Sequence, residues 1–400
     1  MADKRKHKGK KITLIIPAML DETFDLLKYA FDSRNVHTVV LKNTDGVVNT
    51  GLEYVNNDIC YPCVIITGQL ITAVRSGRLD TENCVFMTAQ AGDACRGSNY
   101  ISVIRKALKK AEIDIPVISL NFMDLEKNAR FSVTPKMLVK ALAAVMFSDI
   151  LMLLKNQVLP YEVNSGETMR LYKDWQIRLK RRILRCERLD PLSLSRTFRM
   201  ISDDFAKIER RQLNLKKVGI VGELYVKYCS IGNHGVGDFL ASRGAEHMTN
   251  GFSWYVLYYI DTHLTELSEV NPVMAAAYGT AGKFIESVQR SMVKAIKANG
   301  FACFDSFSGF KRTAEKYIPC ACPTGDGWLI GAEICNFAEI GYGRVACVQP
   351  FGCMPNHVCG RGLYSSIQRR VGNVRLVSVD YDSGSSEVNI RNRLQMLLDF

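Results

Sequence analysis

Short apolar runs alternate along this chain with stretches in which apolar residues recur every three or four positions. Residues 12–16, 37–41, 84–88 and 116–120 read as strands. Helices are expected between them at 23–31, 60–77 and 99–108, the last with Ser98 as its N-cap. Residues 44–50 read as a turn, and 51–55 are ambiguous. Strands alternating with helices of this length predict a parallel sheet in a doubly wound domain. From 135 to 213 the spacing is helical almost throughout, punctuated by Pro160 and Pro191. The strand pattern restarts at 217–222. It continues through helices at 236–242, 272–299 and 327–337, strands at 345–348 and 375–380, and a closing helix at 386–398. The aromatic-rich stretch 252–264 reads as core. The expectation is an α/β protein with two doubly wound, Rossmann-like lobes, residues 12–134 and 216–400, each built on a parallel sheet. A helical segment, 135–215, joins them, and a basic disordered tail, 1–11, precedes them.

Composition narrows the picture. The chain has 400 residues and 47% hydrophobic content, enough for two or three cores. No uninterrupted apolar run reaches the roughly 18–20 residues of a membrane span, so no membrane partner is expected. The basic tail is not followed by a cleavable apolar segment, which argues against a signal peptide and for a cytoplasmic protein. The net charge of +12 is concentrated in the tail and in residues 170–217. The second of these could meet an acidic partner or ligand phosphates, or be only a solvated helical face. No nucleic-acid motif accompanies either, so RNA or DNA binding is not expected. Residues 232–237 are glycine-rich but lack the G-x-G-x-x-G spacing of a dinucleotide loop, and 279–283 is not a P-loop.

Thirteen cysteines in a chain without a signal peptide are expected to stay free or to bind metal. Cys84, Cys186, Cys229, Cys303 and Cys335 lie in apolar patterns and read as small buried hydrophobes. Three others sit where helices begin. Cys60 precedes Pro62 and an apolar helix. Cys95 follows the 84–88 strand and precedes the 99–108 helix. Cys353 follows the strand ended by Pro350 and a Phe351-Gly352 turn, just before Pro355, whose φ suits a first helical turn. A helix N-terminus favours negative charge, which is expected to lower a thiol's pKa and suit a metal-bound thiolate.

Three chemistries compete for these thiols. A structural zinc site wants paired C-x₂-C motifs, and only Cys60–Cys63 has that spacing, with Cys320–Cys322 tighter. A cysteine nucleophile needs a base, and His357 lies one helical turn after Cys353. An iron–sulfur cluster can be held by thiolates from separate loops meeting in a cleft, with one iron left open. Spacing alone does not choose among them.

Several blocks together resemble a known family. They are Asn56-Asn-Asp-Ile-Cys60-Tyr-Pro with Thr67-Gly-Gln69, Cys95-Arg with Asn99-Tyr100, Val218-Gly-Ile-Val-Gly-Glu223, Gly325-Asp-Gly-Trp328, Cys347-Val-Gln-Pro-Phe-Gly-Cys353-Met-Pro-Asn-His357, and Asp380-Tyr-Asp382 with Ser386-Glu-Val-Asn389. They resemble the C-terminal part of large acyl-CoA dehydratase activase-related proteins. That part is similar to the cluster subunits of 2-hydroxyacyl-CoA dehydratases and to double-cubane cluster proteins. The resemblance implies an iron–sulfur cluster between two lobes, a [4Fe–4S] or double-cubane type, with Cys60, Cys95 and Cys353 as its ligands. Arg96, Gln349 and His357 would surround it and tune its potential. It further implies a partner, an ATP-dependent activator with its own cluster, an acyl-CoA substrate, and a homo- or hetero-oligomer. A double cubane needs more thiolates than these three, and Cys63, Cys320, Cys322 and Cys359 are the spare ones. A small-molecule reductase and a non-catalytic scaffold stay open as alternatives.

Overall fold

The computed structural model describes residues 11–91, 93–120 and 131–399. The expected tail falls almost wholly outside them. Two four-stranded sheets, all parallel, are each flanked by helices, so this is an α/β protein of two lobes.

The first lobe runs β1 (Ile12–Ile16), α1 (Asp21–Phe31), β2 (Val36–Val40), α2 (Val47–Tyr54), α3 (Tyr61–Arg75), β3 (Cys84–Ala89), α4 (Tyr100–Lys110) and β4 (Val117–Leu120), with sheet order β2-β1-β3-β4. The ambiguous 51–55 stretch is the second half of α2, and the expected turn at 44–50 gives way to that helix at Val47. Ser98 does not cap α4. Its hydroxyl donates to the Asp93 carbonyl at 2.6 Å, and the Gln90 side chain instead accepts from the Ile101 N–H at 3.1 Å.

Three helices follow, α5 (Pro135–Val158), α6 (Glu167–Arg185) and α7 (Pro191–Ala206). Together with the next turn, α5 is long and apolar enough to cross a membrane by length and composition, although Lys140, Asp149 and Lys155 interrupt its apolar run; 78% of its most apolar window is buried inside the protein. It is therefore a core helix. It packs on α1 of the first lobe, where Ser148 donates to the Thr23 carbonyl at 3.4 Å and Lys155 pairs with Glu22 at 2.6 Å. Cys186 is no buried hydrophobe: it ends α6 in the left-handed conformation, φ 55°, and is partly exposed. Cys84, Cys229, Cys303 and Cys335 are buried as expected.

The second lobe runs β5 (Lys216–Gly222), α8 (Leu224–Tyr228), α9 (Ser230–Asn233), α10 (Val236–Ser242), β6 (Ala245–Thr249), α11 (Phe252–Val270), α12 (Pro272–Ala298), α13 (Phe307–Glu315), α14 (Gly327–Glu339), β7 (Arg344–Pro350), a π-helical turn (Asn356–Arg361), α15 (Gly362–Val371), β8 (Arg375–Tyr381) and α16 (Glu387–Asp399). Its sheet order, β6-β5-β7-β8, repeats that of the first lobe. Cys95 and Cys353 therefore follow equivalent strands, β3 and β7.

Helix α5 also holds the second lobe. Its Asp149 carboxylate accepts from the N–H groups of Phe252 and Ser253 at 2.8 and 2.9 Å, capping α11 from a distant part of the chain. A Cβ at Gly251 would lie 2.7 Å from that carboxylate. Replacing Asp149 with alanine leaves two buried N–H groups without an acceptor. The expected cost is about 2–4 kcal/mol, read as a lower urea midpoint, with Asp149→Asn losing less.

Candidate functional site

The carboxyl ends of the two sheets face each other, the place where open α/β sheets keep their ligands. Side chains and backbone from both lobes meet there. Asp21 accepts from the Ser230 N–H at 2.8 Å, Cys229 lies 3.5 Å from the Ala18 carbonyl, Tyr61 is 3.5 Å from His234, and Ser383 donates to Asn57 at 2.5 Å.

Cys60, Cys95 and Cys353 come together at this junction. Cys60 sits at the start of α3 with Pro62 just inside the helix. Both other thiols lie near enough to resist its ionisation. Cys95 opens a short 3₁₀ turn, Arg96–Asn99, that leads into α4. Cys353 follows a turn in which Gly352 has φ +70°. Gly325 locks the two later sites against each other. It has φ +56°, and a Cβ there would meet the Pro355 ring at 2.6 Å and the Cys95 side chain at 3.7 Å. Only glycine fits. Asp93 ties the same loops: one carboxylate oxygen accepts from the Cys95 N–H at 3.0 Å and the other from the Gly325 N–H at 2.7 Å.

Two of the sulfurs have their own donors. The Gly97 N–H reaches Cys95 at 3.3 Å, and the Asn356 amide reaches Cys353 at 3.2 Å. The Tyr100 hydroxyl stands near enough to Cys60 to act against the rise in its pKa. Asn356 is fully buried, and its own amide oxygen has no partner.

The expectation of lowered thiol pKa values is overturned. All three are raised, first by burial. Cys95 is pushed up to about 12 and Cys60 lies well above its ordinary value. Burial also raises Cys353, helped by the Glu223 carboxylate. Helix starts and N–H donors act in the other direction but lose to desolvation and nearby carboxyls. Glu223 and Asp326, both themselves raised by burial, stand close enough to act on Cys95 and Cys353. The thiols are therefore protonated at neutral pH until a cation displaces their protons. A thiol raised on folding contributes stability below its unfolded pKa, near 8.5, and that contribution is lost as pH rises toward the folded value. Metal-free protein should show a thermal midpoint that falls from pH 9 upward, and Cys95→Ser should lessen the fall.

The residues expected around the sulfurs have other tasks. The Arg96 guanidinium donates to the Asp58 carbonyl, tying the Cys95 turn to the segment before Cys60. Gln349 is fully buried and donates to Asp380 at 2.9 Å and Ser378 at 3.2 Å. His357 lies 2.8 Å through Nδ1 from the Cys353 carbonyl, and its Nε2 is 3.2 Å from Arg361. Arginine can only donate, so Nε2 accepts and Nδ1 carries the proton. Both ring nitrogens are committed, and His357 has none left to act as base for the Cys353 thiol. Arg361 in turn pairs with Asp380.

Asp93, Tyr100, Glu223, Asp326 and Asn356 were not singled out from sequence. The last four lie inside the blocks quoted above, so the residues were visible although their roles were not. Behind them Lys227 pairs with Glu333 at 2.8 Å, with both side chains 1% exposed, and Asn250 donates to Glu333 at 3.3 Å. Cys63 is buried in the core of the first lobe. Cys347 is buried within β7, and Cys359 is buried with Cys322 near enough to raise its pKa.

Among the described residues no three His, Cys, Asp or Glu side chains are close enough to chelate a single metal ion. A cubane makes a different demand, because each of its thiolates binds a different iron and the sulfurs stand further apart. Three thiols from separate loops, two of them with a hydrogen-bond donor, and an unpartnered buried amide oxygen beside one of them are a donor set that fits such a group.

No family model matches the chain, and no curated protein matches it. Among solved structures, it is similar to the SBP FpvC from P. aeruginosa in complex with a Ni2+ ion, at 13% identity over 98% of this chain and 95% of that one, with a TM-score of 0.20. A score that low carries nothing about ligand or activity.

Proposed function

We propose that this chain is the iron–sulfur component of a 2-hydroxyacyl-CoA dehydratase-type system, working in the cytoplasm and taking a low-potential electron from an ATP-dependent activator. Cys60, Cys95 and Cys353 would hold a [4Fe–4S] cluster. The group, when bound, supplies one-electron chemistry that permits loss of water from a 2-hydroxyacyl thioester. The protein's part is to hold the thiolates, donate hydrogen bonds to them and limit water. The observation that supports this most is the pair of dedicated donors, Gly97 on Cys95 and Asn356 on Cys353, one from each lobe. Hydrogen bonds to cluster thiolates raise the potential and lessen their charge.

The test is anaerobic reconstitution with iron and sulfide, followed by iron quantitation and EPR of the reduced protein. About four irons per chain and a cubane signal are expected. Colourless, iron-free protein would sink the reading and leave a scaffold. A change in the signal on adding acyl-CoA supports the dehydratase; no change, with about eight irons, supports a double-cubane reductase of small molecules. That second reading draws on the nearness of Cys322 to Cys359, which offers two more thiols.

A further inference from the structure

Helix α6 runs alongside α1, away from the thiols. The Tyr172 hydroxyl donates to Glu22 at 3.3 Å, the Gln176 amide to Asp25 at 3.5 Å, and Lys180 lies over the Tyr29 ring at 4.7 Å. Since α1 departs from the carboxyl end of β1, the last turn of α6 lands at the opposite end of the sheet. There Leu184 lines a hollow of about 320 Å³ with Lys11, Asp32, Arg34 and His37, at the starts of β1 and β2. The first turn of α5 arrives at the same place, because Lys140 donates to the Asp32 carbonyl at 3.1 Å. Large apolar side chains remain in water around this end: Leu138 is 55% exposed, Leu184 41% and Leu192, on the first turn of α7, 73%. Lys11, Arg34, Lys136, Arg181, Arg185 and Arg188 are exposed among them. Among the described residues none of these six cations is in an ion pair. Three acids stand nearby, and two are engaged: Asp32 accepts from the Thr38 N–H at 2.7 Å, and Asp190 caps α7 through the Ser193 N–H at 2.9 Å. The chain enters this end at Lys11, behind ten residues that hold five Lys and Arg against one Asp.

We propose that this end of the first lobe is a docking surface for an anionic lipid bilayer. The six cations and the basic chain that enters at Lys11 meet the headgroup phosphates, and Leu138, Leu184 and Leu192 enter the boundary beneath them. Charge decides that the occupant is anionic. The apolar residues decide that it is a bilayer and not an acidic protein. They come singly from three helices, whereas the anchors of a protein partner seat in apolar pockets. The hollow between them is walled mostly by charged and polar side chains. A lipid surface accepts scattered apolar side chains among cations and needs no matching shape. No span is required, and α5 keeps its place in the core. Docking here leaves the thiols open at the other end of the lobe, and it does not depend on iron.

The test uses the full chain at physiological ionic strength and co-sedimentation with vesicles. Phosphatidylglycerol mixed into phosphatidylcholine is set against phosphatidylcholine alone. Binding to the mixed vesicles should exceed binding to the neutral ones by about tenfold and weaken as salt is raised. Arg181→Glu/Arg185→Glu should cut partitioning by about tenfold, and Leu138→Ser/Leu192→Ser by about fivefold, with thermal midpoints near that of the wild type. Lys294→Glu, which reverses an exposed cation of the second lobe, should match the wild type. Equal binding to the two kinds of vesicle overturns the assignment. So does unchanged partitioning in the arginine variant, which would leave residues 1–10 as the whole attachment. Loss in the arginine variant with none in the leucine variant points to an acidic protein and overturns the bilayer as occupant.

Discussion

Replacing Cys95 with serine should strip the reconstituted protein of most of its iron, a fourfold or greater loss, while Cys186→Ser keeps the wild-type content. The two cysteines make a matched pair for this purpose, since both are partly exposed. They differ in what surrounds them. Cys95 receives an N–H bond from Gly97 and lies against Gly325 of the other lobe, whereas Cys186 ends a helix in the left-handed conformation. Serine is close to cysteine in shape, so the fold should survive in both. Its oxygen is a poorer ligand for iron than a thiolate. Iron quantitation beside far-UV circular dichroism reads the result. Equal iron in the two variants would remove Cys95 from the set, and with it the convergence on which the proposed function stands.

Lys227→Met should be the most destabilising single change in the second lobe, by about 3–5 kcal/mol in urea denaturation. Lys227 and Glu333 form a nearly solvent-free pair at 2.8 Å. Glu223 and Asp326 also sense the lysine, which lowers the pKa of each against the upward push of burial. Removing the cation leaves Glu333 buried without its partner and strengthens the push on the other two acids. Methionine fills the space of the aliphatic stem, so the loss reports charge rather than a cavity. The double variant Lys227→Met/Glu333→Leu should recover much of the stability, because two apolar side chains of similar volume do not pay for desolvated charge. No recovery would show that the lysine acts through the other acids rather than through Glu333.

The alternation of apolar strands and amphipathic helices made most of this architecture legible. Val345–Val348 and Pro350 announced β7, and Pro62 and Pro272 announced the starts of α3 and α12. β6 was missed because Ala-Glu-His-Met-Thr has neither a run of branched aliphatics nor a clean alternation; its place comes from pairing with β5. The helix expected after Cys353 exists, but its first part is a π turn, which no local spacing signals. The three thiols were legible for a local reason, since each stands between a loop and a helix start. Their protonation was not, because it is set by burial and by Glu223 and Asp326, which arrive from far along the chain. His357 misled for a similar reason. One turn of helix from Cys353 suggested a partner for its sulfur, yet the ring meets the cysteine's carbonyl and Arg361.

Asp149 and Ser148 sit side by side on α5, one fastened to α11 and the other to α1. A single rigid rod is thus riveted to both halves of the molecule. Jaw-like opening would have to tear one of those fastenings, exposing apolar rod surface to water.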